Sequence, residues 1–150
     1  MSNAHGWATG PVSALSFAIL GVSPAAGYGT RAWSVRPCPG DLSHAEGQLL
    51  LDGKEGHVTV AWDVNPDAST HFALEVNASS LAYDATALGS ISVPVANAAS
   101  SSITVNGLVA WSNGKFVPVP NISSALADAD GTRVIFMGVS PSLLIVRCIT

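Results

Sequence analysis

The run GHVTVAWDVNPDASTHFALEV, residues 56–76, decides how the chain folds. From Gly56 to Asn65 the apolar residues Val58, Val60, Trp62 and Val64 alternate with Thr59, Ala61 and Asp63. A period of two is the repeat of a strand, whose successive side chains leave opposite faces of a sheet. The second half repeats the pattern, with Phe72, Leu74 and Val76 against His71, Ala73 and Glu75. Between the two lies NPDAS, residues 65–69, built from turn residues. The segment predicts an antiparallel hairpin with one face in a core. Trp62 falls in the apolar row and is expected to be core.

Outward from this hairpin the same period recurs. Residues 31–36 (RAWSVR) predict a short strand, followed by a loop forced by Pro37, Pro39 and Gly40. Residues 41–47 (DLSHAEG) read as a turn-like approach to QLLLD. ISVPV, residues 91–95, alternates but carries Pro94, which places it towards a sheet edge. Asn106-Gly107 inside SITVNGLVAW is a strong hairpin signal, and Asn113-Gly114 a second. The Ala/Ser-rich ANAASSS, residues 96–102, reads as a turn. TRVIFMGV and SLLIVRCI are apolar on both faces, which predicts cover on both sides. The expectation is a mainly β fold: an antiparallel β-sandwich of about eight strands.

One stretch breaks the pattern. After HGWATG, Pro11 suits a first helical position and Gly21 the left-handed residue that ends a helix. Val12, Leu15, Ile19 and Val22 fall near one face, but Phe17, Ala18 and Leu20 make the other sides apolar too. Such an N-terminal α-helix is marginal in water and needs something packed around it. It divides the chain into residues 1–26, helix and connector, and residues 27–150, the sandwich.

Composition narrows the function. The chain has 150 residues, enough for one core. Only 11% are charged and 48% are apolar, which leaves little charge to coat a free-standing monomer and predicts an apolar surface that meets a partner, a second copy included. Six basic residues, Arg31, Arg36, Lys54, Lys115, Arg133 and Arg147, are scattered against ten acids, so no phosphate-tracking patch forms and nucleic acid is not expected as a ligand. Val12–Val22, interrupted by Ser13, Ser16 and Gly21, is too short to span a membrane. No basic residue precedes it, as a secretory signal would require. The sequons at Asn77 and Asn121 lean the other way, towards an N-glycosylated extracellular product, with the cytoplasm as the alternative. Cys38 and Cys148 either form a disulfide or stay as two thiols, with Cys148 buried as a small apolar residue.

Chemistry is sparse. A glycosidase needs two facing carboxyl groups, but the acids here fall in turns or, like Asp63 and Glu75, on a polar strand face. His5, His44, His57 and His71 lack the spacing of a metal site, no G-x-S-x-G elbow occurs, and no cofactor motif is present. No catalytic or metal-binding residue is assigned. Trp33 and Trp111 remain as candidate sugar-stacking platforms for an independent carbohydrate-binding module.

HGWATGPVSALSFAILGVSP, then PGDLSHAEG and GHVTVAW, with ISVPV and SSITVNGLVAW further on, resembles the C-terminal portion of glycoside hydrolase family 78 α-L-rhamnosidases. The resemblance runs from His5 to about Ile149 and rests on the order of short motifs. It implies that the helix is the last of a catalytic (α/α)6 barrel and the rest a structural C-terminal sandwich, silent alone. The full enzyme would remove terminal α-L-rhamnose with inversion, its acid and base lying upstream of residue 1. His5 takes the place of the family's substrate-contacting histidine, and Trp7 would pack close by at the barrel mouth. The implied partner is that barrel, and rhamnoside is met only through it. An apolar docking domain for some other protein is the third alternative.

Overall fold

A computed structural model describes residues 15–25, 32–52, 56–84 and 86–149. Twelve strands occur among them: β1 (Val22–Pro24), β2 (Trp33–Val35), β3 (His44–Asp52), β4 (Gly56–Asp67), β5 (Thr70–Asn77), β6 (Gly89–Pro94), β7 (Ser102–Val105), β8 (Leu108–Ser112), β9 (Lys115–Phe116), β10 (Ser124–Ala127), β11 (Arg133–Val139) and β12 (Leu143–Ile149). They form a five-stranded sheet, β1-β2-β6-β11-β10, and a seven-stranded sheet, β3-β4-β5-β12-β7-β8-β9. The fold is mainly β and broadly sandwich-like, with a small helical element at its N-terminal side.

The alternating hairpin is the frame of the larger sheet. β4 and β5 pair antiparallel, Trp62 opposite Leu74 and Val64 opposite Phe72. Val58, Val60, Trp62, Phe72, Leu74 and Val76 are all buried, as their period requires. Leu144, Val146 and Cys148 of β12 and Ile103 and Val105 of β7 extend this inner row, and the smaller sheet contributes Trp33, Val35, Ile91, Val93, Val134 and Phe136 to the same core. Both Asn-Gly turns form, with positive φ at Asn106 and Gly107 (49° and 80°) and at Asn113 and Gly114 (51° and 72°). Two consecutive residues of this kind match the right-handed twist of the strands they join. The Asn106 side chain prolongs the ladder: its Oδ1 accepts from Ile145 N at 2.8 Å and its Nδ2 donates to Leu143 O at 3.3 Å.

Among the described residues the helical element is a π-helical turn over Leu15–Leu20, where the sequence predicts an α-helix; the expected start at Pro11 lies outside the described residues. It ends as predicted on Gly21, with φ 71°. A Cβ there would overlap the carbonyl of Arg36, so only glycine lets the two backbones meet. Gly21 O accepts from Arg36 N at 2.8 Å, and β1 follows at once, pairing antiparallel with β2. The turn is thereby tied to the smaller sheet, while buried Leu20 reaches across to Gly47 of β3.

Four expectations are corrected. Pro94 does not put its strand at an edge: β6 lies inside the smaller sheet, between β2 and β11. Val95 N donates to Thr132 O on the β11 side, so by alternation the Pro94 nitrogen faces β2, whose pairing has already stopped at Ile91. The missing N–H has no partner to lose. The sheet is not purely antiparallel either, because β2 runs parallel to β6. Residues 44–47 are strand rather than turn, since β4 is long enough to pair with them as far as Asp63. Finally, β12 is covered on one face only: Leu144, Val146 and Cys148 are buried, whereas Leu143 and Ile145 are 46% and 43% exposed. Its second apolar row lies on the outer side of the larger sheet, opposite Asn77 and Glu75.

Candidate functional site

The ionisable groups that carry chemistry elsewhere are engaged here in shaping turns. Asp67 Oδ1 accepts from Ser69 N, Ser69 Oγ and Thr70 N at 2.7 to 2.9 Å and closes the β4–β5 connection. Those bonds, the Ser69 hydroxyl foremost, lower its pKa from 3.8 to about 2. Asp84 holds Thr86 through N and Oγ1, and Asp128 holds Thr132 and Arg133 through their backbone N–H groups. On the outer face of the larger sheet Asp63 meets His44 of β3, Oδ1 to Nδ1 at 2.8 Å, both side chains about half exposed. Glu75 lies two strands from β3 on the same sheet. Among the described residues no group of three His, Cys, Asp or Glu side chains is placed to hold a metal ion.

Arg133 is half-buried and used for structure. Its Nε donates to Ser92 Oγ at 2.8 Å and one terminal nitrogen to Pro37 O at 2.6 Å, which ties β11 and β6 to the proline loop after β2. Burial lowers its pKa, yet an arginine stays charged.

One cavity, of about 250 Å³, opens near the end of the larger sheet and is lined by His71, Ala96, Ser100, Ser101, Cys148 and Ile149. His71 is the extra residue of a β-bulge: its neighbours Thr70 and Phe72 pair with Ile149 and Cys148 and leave it unpaired. Its Nδ1 lies 3.2 Å from Asn65 Oδ1. Ser101 Oγ donates to Asn97 O at 2.7 Å. Burial pushes the Cys148 thiol up, with the Ser101 side chain opposing weakly, so the thiolate needed for nucleophilic chemistry is disfavoured. The cavity was not foreseen from the sequence, because its lining comes from three distant segments and a strand irregularity that alternation does not reveal.

Of the residues singled out from the sequence, His5 and Trp7 lie outside the described residues. Cys38 and Cys148 are free thiols, the first exposed beyond β2 and the second buried in β12. Asn77 ends β5 half-buried, its Oδ1 accepting from Ser79 N and Ser79 Oγ. Asn121 is exposed in a turn, with φ 67°. The proposed stacking platforms are overturned. Trp33 is fully buried and donates from Nε1 to Ala87 O at 3.0 Å; Trp111 is buried and donates to Ala98 O at 2.7 Å. Neither presents a face to a sugar. Trp62 is core, as expected, stacked on Phe72 with 6.3 Å between ring centres. The chain matches no family model, no curated protein and no solved structure.

Proposed function

We propose that the chain is the C-terminal accessory sandwich of an α-L-rhamnosidase, without catalytic groups of its own, which works by seating on a catalytic (α/α)6 barrel. One observation supports this above all. The helical turn is locked to the sandwich through Leu20 on Gly47 and Gly21 on Arg36, while Phe17 on the same turn is 48% exposed. A helix end so fixed enters the β layers as one body and leaves an apolar side for a further layer to cover. The engagement of Asp67, Asp84 and Asp128 in turns agrees with a scaffold rather than a hydrolase. On this reading His5 and Trp7 stand at the barrel mouth, where an imidazole can hydrogen-bond a sugar hydroxyl. An extracellular setting goes with it, since exposed Asn121 is open to glycosylation.

The test pairs the chain with a family 78 rhamnosidase barrel truncated before its own sandwich. The chain alone is expected to leave an aryl α-L-rhamnoside uncleaved, and on mixing to form an equimolar complex and raise the melting temperature of the barrel. Absence of any complex would remove the reading. So would turnover by the chain alone that Asp63→Asn or Glu75→Gln abolishes. Saturable heat on titrating rhamnosides into the chain alone would instead favour a carbohydrate-binding module, which would then need a platform other than Trp33 or Trp111.

A further inference from the structure

Among the described residues each sheet ends in strands whose outer backbone groups lack a ladder partner, and three of these four edges are short. β1 has three residues, β9 two and β10 four. Shortness is itself protection against edge-to-edge pairing. β3 differs: it runs for nine residues, His44–Asp52, with neither proline nor lysine in it. Among the described residues only β4 pairs with it.

Which groups β3 offers follows from its register. Val64 N donates to Ser43 O, which makes 43 and 64 a hydrogen-bonded pair. In an antiparallel ladder such pairs alternate with pairs that turn their N–H and C=O outward. Ala45, Gly47 and Leu49 therefore bond to β4, and Glu46, Gln48 and Leu50 direct their backbone groups away from the sheet, up to a bulge in which Leu51 is the unpaired residue. The side chains sort the same way. Glu46, Gln48 and Leu50 are exposed, the last 60%, while Ala45, Leu49 and Leu51 are half-buried against the core.

We infer that β3 pairs antiparallel with β3 of a second copy, about a two-fold axis through Gln48, and joins two seven-stranded sheets into one. The strand is self-complementary in that register. Gln48 meets Gln48, Glu46 meets Leu50, Gly47 meets Leu49 and Ala45 meets Leu51. No charge opposes a like charge, because Glu46 is the one ionisable residue between 45 and 51. The half-buried row of Ala45, Leu49 and Leu51 continues the core face across the junction. One long edge per chain gives a closed isologous dimer rather than a fibre. A chain with only 11% charged residues has little else to keep such an edge apart. The inference does not rest on the rhamnosidase reading: that reading uses the inner face of β3, where Leu20 meets Gly47, whereas the pairing uses the outward backbone groups of the strand.

Light scattering on the eluting protein tests it, together with two variants. Gln48→Pro removes an outward N–H and leaves the β4 ladder untouched. The parent should elute at twice the chain mass, and Gln48→Pro at the chain mass with an unchanged circular dichroism spectrum. In a Cys38→Ser background, Gln48→Cys should cross-link to its copy on mild oxidation, since hydrogen-bonded antiparallel partners stand ~5.5 Å apart at Cα, within disulfide reach. A parent that stays monomeric at its highest soluble concentration overturns the inference, as does a folded Gln48→Pro that remains dimeric. If Gln48→Pro does not fold, the cross-link decides, and its failure counts against the pairing.

Discussion

Trp33 lies on the bare Cα of Gly89, its register partner across the parallel β2–β6 pair. A Cβ on Gly89 would run into three atoms of the indole, whose Nε1 is fixed by its bond to Ala87 O. The ring cannot retreat without giving up that bond or its place in the core. Gly89→Ala should therefore destabilise the fold by about 1–3 kcal/mol, the usual cost of overpacking. Urea unfolding should show a lower midpoint at unchanged slope. An unchanged midpoint would mean that β2 and β6 separate freely.

Two fully buried tryptophans differ in one atom's circumstances. Trp33 Nε1 has its acceptor, whereas Trp62 Nε1 is buried without one. Replacing either by Phe leaves a similar void, but Trp33→Phe also strands the Ala87 carbonyl, while Trp62→Phe removes an unsatisfied donor. The gap between them should be about 1–3 kcal/mol, with Trp62→Phe the milder change. Equal losses in chemical denaturation would show that cavity terms dominate at both sites.

The contrast marks what alternation reveals. That Trp62 is core follows from Val58, Val60 and Val64 around it, and the Asn-Gly turns name their own φ angles. The smaller sheet was harder to read. β1 and β10 are too short to declare a period, and the burial of Trp33 depends on Gly89, 56 positions away in sequence. The outer row of β12 carries the same residue types as the inner one, so composition could not tell a covered face from an open one. Chemistry was legible mainly as turn residues: Asp67, Asp84 and Asp128 stand two to five positions before the groups they hold. The cavity beside His71 depends on a bulge that no local pattern announces.

The two cysteines should react with a thiol reagent as distinct populations. Cys38 is exposed and Cys148 is buried with its pKa raised by desolvation. One thiol per chain should react quickly with an aromatic disulfide reagent at neutral pH, and the second only at the rate of unfolding or in denaturant. Cys38→Ser should abolish the fast phase alone. Loss of both phases in untreated protein, regained on reduction, would mean that the two sulfurs are bridged in the native chain.

Acid should weaken the β4–β5 connection in a defined window. The three hydrogen bonds that Asp67 Oδ1 accepts hold its folded pKa at about 2, against 3.8 for an unperturbed aspartate. The folded chain thus binds this proton less tightly than the unfolded one. The resulting stability is fully present above about pH 4 and is lost as pH falls through the folded value. The carboxylate is solvent-exposed and Arg147 is 3.8 Å away at the surface, so the ion pair adds little. Asp67→Asn keeps an acceptor for the turn but cannot titrate. Its melting temperature should lie below the parent's near neutrality and converge on it between about pH 4 and pH 2, with salt altering the convergence only slightly. A gap that stays constant through that window would show that the turn is held by shape and not by charge on Asp67.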